Sequence, residues 1–118
     1  MSIHTKKILG YFEQLNSIPR CSGNEVQVCQ WLQQWADGLG YDSRVDAGGN
    51  LVVRVPAADG HHTDPVLVLQ GHMDMVCEKT PDSKHDFSKD PIRSYMDQDW
   101  LTAEETTLGA DNGIAIAY

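Results

Sequence analysis

The sequence predicts an α/β fold in which helices pack on a mixed sheet. Two amphipathic helical patterns open the chain, and short runs of β-branched residues follow them. An apolar run, PVLVLQ at residues 65–70, has the length and composition of a strand that is buried on both faces. The order helix–helix–strand–strand–strand–helix leaves a sheet unfinished, and the last helical pattern stops at Tyr118 after a single turn. We therefore expect residues 1–118 to be the N-terminal portion of a larger domain, incomplete at its C-terminus.

The first helix is expected over residues 2–16. Ile8, Phe12 and Leu15 are spaced four and three positions apart, so they share one face of a helix. Pro19 follows this pattern and lacks the N–H that a continuing helix would need. This spacing predicts an amphipathic helix whose apolar face joins the core.

A second helix is expected to end near Leu39. Ser22 and Glu25 form the S-x-x-E pattern of a capping box, and Gly38 and Gly40 are stop signals at the other end. The predicted apolar stripe of this helix consists of Val28, Leu32, Trp35 and Leu39.

Three further elements are predicted after the helices. Residues 41–57, YDSRVDAGGNLVVRVPA, contain two short runs on either side of a Gly-Gly-Asn turn, which indicates a β-hairpin or a tight connection between strands. The polar segment 77–107 has short strand patterns near Ile92–Tyr95 and Trp100–Thr102. A Gly-rich turn in LGADNGIAIAY then opens the last helix.

The charge of the chain is acidic and unevenly distributed. Residues 1–70 carry 7 acids and 5 bases, net −2, whereas residues 71–118 carry 10 acids and 4 bases, net −6. A nucleic-acid partner is not expected, because phosphate binding needs clustered basic charge. An acidic second half suits a bound cation, although surface acids also serve solubility alone.

The apolar runs and the cysteines of the sequence bear on where in the cell the protein is expected. No apolar run approaches the roughly 18 residues that span a bilayer, and the N-terminus lacks the apolar core of a signal peptide. The 3 cysteines, Cys21, Cys29 and Cys77, are odd in number and widely spaced. We therefore expect no membrane contact, a cytoplasmic location with reduced thiols, and Cys77 as a small buried thiol.

The strongest chemical signal is a histidine and an aspartate at the end of the PVLVLQ run. Residues two apart on a strand point the same way, so His72 and Asp74 are expected to project together from its carboxyl end. Ligands of open α/β sheets bind at that end. His72 is a candidate ligand for a metal such as zinc, and Asp74 a carboxylate that orients its ring. The pattern alone also fits a His and an Asp that only cap a strand.

Asp111, in the sequence GADNGIA, is the second candidate. It occupies a turn at the mouth of the last helix, where a carboxylate can either cap the helix or bridge two cations. Asp111 follows His72 by 39 positions, and both would lie on the same edge of the sheet.

Several segments together resemble the N-terminal catalytic half of the bacterial aminoacyl-histidine dipeptidases. These enzymes, also called Xaa-His or cytosol non-specific dipeptidases, belong to the di-zinc group of dipeptidases, aminoacylases and carboxypeptidases. The matching phrases, in chain order, are SIPRCSGNE, DAGGNLVVRVPA, LQGHMDMV, HDFSKDPI and TTLGADNGIAIA. They cover almost the whole chain.

The resemblance implies hydrolysis of a dipeptide by a water that two metal ions activate. His72 would ligate one metal ion, Asp111 would bridge both, and the catalytic carboxylate Asp74 would clamp the His72 ring. The metal would be zinc, with cobalt or manganese as alternatives, and the intact enzyme would be homodimeric through a separate lid domain.

The general base and the remaining ligands of that family lie downstream of the bridging aspartate, so none falls in these 118 residues. We therefore expect the isolated chain to be inactive. Glu104-Glu105 precedes Asp111 and is predicted to be a solvated pair, although the resembling family commonly has Gly at the position of Glu105. The alternative is a non-catalytic remnant, complete at residue 118, that binds a metal or a partner. His61-His62 is expected to be an exposed loop pair.

Overall fold

The computed structural model describes residues 1–118 and confirms the α/β class, but its strands form two separate two-stranded antiparallel sheets and not the expected mixed sheet. Its elements are α1 (Ile3–Asn16), α2 (Val26–Gly38), β1 (Asp42–Val45), β2 (Leu51–Arg54), β3 (Ser94–Asp97), β4 (Trp100–Ala103) and α3 (Ala110–Ala117). Two compact units are present. One combines Met1–Val28 with Gly71–Tyr118, and the other is Cys29–Gln70. None of the helices is both long and apolar enough to cross a membrane.

Helix α1 forms where the periodicity predicts it and packs on α3. Ser2 caps its first turn, because its hydroxyl oxygen accepts a hydrogen bond from the Thr5 N–H at 3.1 Å. Phe12 and Leu15 are each only 1% exposed. The predicted apolar face of this helix is therefore confirmed.

Helix α2 also forms, but the predicted capping box does not. The Ser22 hydroxyl donates to the Asp74 carboxylate, and Glu25 accepts from the Gly23 N–H at 2.7 Å. Helix α2 begins at Val26, four positions after Ser22, so Ser22 is not its N-cap. The Ser22 hydroxyl instead bonds to a charged acceptor, and such a hydrogen bond is stronger than one between neutral groups.

The buried face of α2 differs from the predicted stripe. Val28 is fully buried, but Trp35 and Leu39 are 40% and 55% exposed. Cys29 and Ala36 are buried instead, and the Cys29 thiol lies 3.8 Å from the carbonyl oxygen of Gly49 in the hairpin turn. The hairpin thus approaches the small side chains of the helix, which permit closer contact than the tryptophan would.

The predicted hairpin is confirmed, and the two strands predicted near Ile92–Tyr95 and Trp100–Thr102 form at Ser94–Asp97 and Trp100–Ala103, where they pair as a second hairpin that was not predicted. β1 and β2 pair antiparallel from Asp42 with Arg54 to Val45 with Leu51, and β3 pairs with β4 in the same sense. In the first turn Asp46 accepts hydrogen bonds from the N–H groups of Gly48 and Asn50 at 2.8 and 2.9 Å. The side-chain and backbone bonds from Asn50 lower the pKa of Asp46.

The strand predicted at residues 65–70 is absent, which corrects the sequence analysis. The segment belongs to no β-ladder, and Val66 and Leu69 are 89% and 87% exposed. A strand needs a neighbour that pairs with its N–H and C=O groups, and no other segment of the 118 residues lies beside it. His72 and Asp74 therefore do not lie at the end of a strand, and the alternation of side chains along a strand does not explain why they face the same way.

The cysteine prediction is also wrong for two of the three residues. Cys21 and Cys77 form a disulfide with a Cα–Cα distance of 5.7 Å. A parallel β-bridge between Cys21 and Met75 brings the two chain segments within the reach of a disulfide. Cys29 alone is a free, buried thiol.

Candidate metal centre

The imidazole of His72 lies between two carboxylates. Its Nδ1 is 2.8 Å from Oδ1 of Asp74, and its Nε2 is 2.9 Å from Oδ1 of Asp111. The three residues that sequence analysis singled out are thus in one contiguous cluster, although 39 positions separate His72 from Asp111.

The two carboxylates favour the protonated ring of His72. The hydrogen bond that Asp111 accepts from the ring, followed by the one that Asp74 accepts, raises the pKa of His72 above its ordinary value. Each ring nitrogen of the imidazolium donates to one carboxylate. A cation that binds Nε2 and the Asp111 oxygen must displace this proton, so acid opposes metal binding at this position.

Asp74 uses both of its oxygens. Oδ1 accepts from the His72 ring, and Oδ2 accepts from the hydroxyl of Ser22. The hydrogen bond from Ser22 is the largest cause that lowers the pKa of Asp74, with the His72 interactions adding to it. Asp74 is therefore held as a carboxylate in a fixed orientation that also fixes the imidazole.

Asp111 projects from the irregular first turn of α3. Gly109 caps the helix with a φ of 73°, and Asp111 and Asn112 have non-helical φ and ψ. The peptide bond between Asp111 and Asn112 is cis. Regular helical bonding begins at Gly113, whose N–H donates to the Gly109 carbonyl at 3.1 Å. The side chain of Asp111 is 94% exposed and so is open to a ligand from solvent.

Two residues of this cluster were missed by the sequence analysis. Ser22 was assigned to a capping box, although its hydroxyl holds Asp74. Arg20 was given no role, although it is 1% exposed and bonds to carbonyls on both sides of the cluster. The sole signal was that both lie in SIPRCSGNE, one of the phrases that carried the family resemblance.

The cluster fits part of a metal site. His72 Nε2 and the Asp111 carboxylate are an imidazole nitrogen and an oxygen, the donor types that zinc accepts, and they face one another beside solvent. No group of three or more His, Cys, Asp or Glu side chains in the chain can hold a metal ion by itself. The residues present therefore fit two ligands of such a site, and the others must come from elsewhere.

The other candidate residues stand apart from this cluster. The exposed imidazole of His61 lies 2.7 Å from the Asp64 carboxylate, and His62 is exposed as predicted. Glu104 and Glu105 are both exposed, which confirms the predicted solvated pair. Glu105 has a φ of 61°, the left-handed conformation that glycine adopts most easily.

The fold and the cluster together define an α/β chain that presents a carboxylate-clamped histidine beside an aspartate at a helix start, an arrangement that can supply two ligands to a metal ion.

The comparisons name particular relatives. The chain is 44% identical to the cytosol non-specific dipeptidase of Escherichia coli (strain K12) over 106 residues, which are 90% of this chain and 22% of that protein. The aminoacylhistidine dipeptidase of Vibrio alginolyticus has a crystal structure that matches with a TM-score of 0.90 and 43% identity, over 94% of this chain and 23% of that one. No family model matches the chain. The resemblance that the sequence motifs indicated is thus confirmed, and the chain spans less than a quarter of the length of each relative.

Proposed function

We propose that the protein carrying this chain is a metal-dependent dipeptidase with Xaa-His or broad specificity. The observation that carries the proposal is the His72 ring, clamped by Asp74 with its Nε2 facing Asp111. The names of the two similar proteins supply the substrate class, because one is a non-specific dipeptidase and the other an aminoacylhistidine dipeptidase.

Each of the three residues has a distinct role in this proposal. His72 would hold one metal ion through Nε2, Asp111 would bridge two metal ions, and Asp74 would orient the ring and raise its basicity. Zinc is the proposed metal, and cobalt or manganese would suit the same donors. When bound, two metal ions polarise a carbonyl and lower the pKa of a water in the site. Ser22 would keep Asp74 in this orientation, because its hydroxyl donates to the carboxylate oxygen that does not contact His72.

In this proposal residues 1–118 form the N-terminal portion of the catalytic domain. The general base, the other ligands and a lid domain that makes a homodimer belong to the remaining length of the intact protein. The length of the relatives supports this division, because the chain covers 22% of one and 23% of the other. The 118-residue chain alone should bind zinc weakly and hydrolyse no dipeptide.

A cytoplasmic location is also proposed, on the name of the Escherichia coli relative. The disulfide between Cys21 and Cys77 stands against this location, because disulfides are rare in the reducing cytoplasm. Cell fractionation of the intact protein tests the location. Recovery in the cytoplasmic fraction is expected, and recovery outside it would contradict the proposal.

The proposal is tested by dipeptide hydrolysis in the intact protein. Removal of metal with a chelator should abolish hydrolysis of Xaa-His dipeptides, and added zinc, cobalt or manganese should restore it. Activity that survives complete metal removal would contradict the proposal. Tight metal binding without hydrolysis of any dipeptide would instead favour a non-catalytic binding protein.

A further inference from the structure

A buried arginine lies directly behind the candidate metal centre. Arg20 is 1% exposed and is among the largest side chains that are fully buried in the chain. Its Nη1 donates to the carbonyl oxygens of Met73 and Asp74 at 3.3 and 3.4 Å. Its Nη2 donates to the carbonyl oxygen of Gly109 at 2.8 Å. One guanidinium therefore joins the loop of His72 and Asp74 to the turn that precedes Asp111.

The backbone of Arg20 adds a further link to the same loop. Its carbonyl oxygen accepts from the Met75 N–H at 2.9 Å. The loop from 72 to 75 has no strand partner other than the isolated bridge at Met75, so these contacts to Arg20 hold much of its backbone. A short loop without ladder bonds needs such contacts to keep one conformation.

Two glycines show how closely the helix start approaches the guanidinium. A Cβ placed on Gly109 or on Gly113 would come within 2.6 Å of Nη2 of Arg20. The backbone on both sides of Asp111 is thus packed against this side chain. A substitution at either glycine would push the guanidinium away from the Gly109 carbonyl.

Only arginine has the shape for this link. Its planar fork offers separate N–H groups in two directions, whereas lysine concentrates its charge on one nitrogen. An apolar side chain of similar length would leave these part-buried carbonyls without the donor that they have now, which is unfavourable.

Stability alone does not explain the choice of a buried cation here. Nε of Arg20 is buried and has no hydrogen-bond partner. Burial lowers the pKa of Arg20, and the nearby charge of Asp74 opposes that effect only in part. The arrangement is therefore better explained by what the guanidinium connects than by what it adds to the core.

We propose that Arg20 is a positioning residue of the metal centre. It sets the separation of His72 and Asp111 by joining their two backbone segments through one buried guanidinium. The inference rests on the proposed function in one respect: Arg20 can affect metal affinity only if His72 and Asp111 bind a metal ion.

The test compares Arg20→Met with a core variant of equal stability in the intact protein. The core variant is Leu15→Val or Leu15→Ala, whichever loses as much stability as Arg20→Met. Either one alters the buried core without changing the carbonyls to which Arg20 donates. Arg93→Met is the surface control, because Arg93 is 66% exposed and lies 3.7 Å from the Glu104 carboxylate. The readouts are the affinity for Co²⁺, its visible absorption spectrum, and hydrogen exchange at the Met75 and Gly113 amides without metal.

Arg20→Met should weaken Co²⁺ binding on the order of 10- to 100-fold, as loss of an outer contact to a ligand does. Its spectrum should change, while the Leu15 variant and Arg93→Met keep the affinity and spectrum of the unaltered protein. Arg20→Lys should give an intermediate loss, and it decides the question if Arg20→Met does not fold. Equal losses in the Arg20 and Leu15 variants, or no loss in either, would overturn the positioning role.

Hydrogen exchange separates this inference from the proposed function. If the unaltered protein binds no metal, the proposed function fails, but the metal-free exchange still tests Arg20. Faster exchange at Met75 and Gly113 in Arg20→Met than in the Leu15 variant supports the link between the two segments. Equal exchange in the two variants contradicts it.

Discussion

At the scale of single residues, the centre depends on a chain of hydrogen bonds that ends at one ring nitrogen. Ser22 holds Asp74, Asp74 holds Nδ1 of His72, and this leaves Nε2 directed at Asp111. Every member of the chain restricts the next, so the imidazole has one orientation before any ligand arrives. An outer carboxylate with this role changes metal affinity without contacting the metal.

Removing Asp74 should therefore weaken the site without abolishing it. In the intact protein we expect Asp74→Ala to keep partial metal binding and to lose about 10- to 100-fold in affinity or activity. Ser22→Ala should lose less, because the bond to His72 remains. Metal titration and dipeptide hydrolysis measure both effects. An Asp74→Ala protein with unaltered affinity and rate would show that the carboxylate does not orient the ring.

Glu105 has a left-handed backbone conformation, which glycine adopts more easily than glutamate. A side chain at a φ of 61° is strained by about 1 kcal/mol relative to glycine, whereas glycine costs more in the unfolded chain. The backbone at this position is fixed by a hydrogen bond from the Thr80 N–H to the Glu105 carbonyl at 2.9 Å.

Glu105→Gly should accordingly leave the protein equally stable or stabilise it by up to about 1 kcal/mol. Glu104→Gly is the matched control and should destabilise by about 0.5 to 1 kcal/mol, because Glu104 has an ordinary negative φ. Chemical denaturation measures both. A Glu105→Gly variant that loses as much stability as Glu104→Gly would contradict the strain.

At the scale of elements, the local signals predicted the local structure. The two helices at the N-terminus, the first hairpin, the strands β3 and β4 and the start of α3 follow from periodicity and turn residues, which depend on neighbours in sequence. The strand at 65–70 failed because an apolar run specifies burial, whereas a strand also requires a partner. The capping box failed because α2 begins at Val26, four positions after Ser22, and the Ser22 hydroxyl is bonded to Asp74, 52 positions away in the sequence.

The stability of the turn from Asp86 to Asp90 is expected to depend on pH. Hydrogen bonds from Ser88, with a smaller effect of Lys89, lower the pKa of Asp86 from 3.8 to about 2. A depressed pKa means that the ionised form is favoured by folding. Its contribution to stability is thus complete above the unfolded value of 3.8 and is lost as the pH falls toward 2.

Ser88→Ala should raise the pKa of Asp86 more than Lys89→Met does, because Ser88 is the larger cause. The stability difference between the unaltered protein and Ser88→Ala should shrink as the pH falls between about 4 and about 2. Carboxyl NMR titration and denaturation at each pH measure these effects. A larger pKa change in Lys89→Met than in Ser88→Ala would contradict the assignment.

At the scale of the whole molecule, the site was predictable in its residues but not in its support. His72, Asp74 and Asp111 were found because two short motifs matched a family, and the structure places them together. The role of Arg20 and the disulfide between Cys21 and Cys77 were not found, because both join distant parts of the sequence. The partners of Arg20 lie 53 to 89 positions away from it, and the two cysteines are 56 positions apart. Such contacts leave no periodicity or local motif in one sequence.

The central claim is that His72 and Asp111 share a metal site in the intact protein. The most direct measurement is the number of zinc ions bound per chain in the unaltered protein and in His72→Ala, with the exposed His61→Ala as control. We expect two ions in the unaltered protein and in His61→Ala, and one ion with nearly all activity lost in His72→Ala. Two ions retained by His72→Ala would show that His72 is not a ligand and would contradict the account.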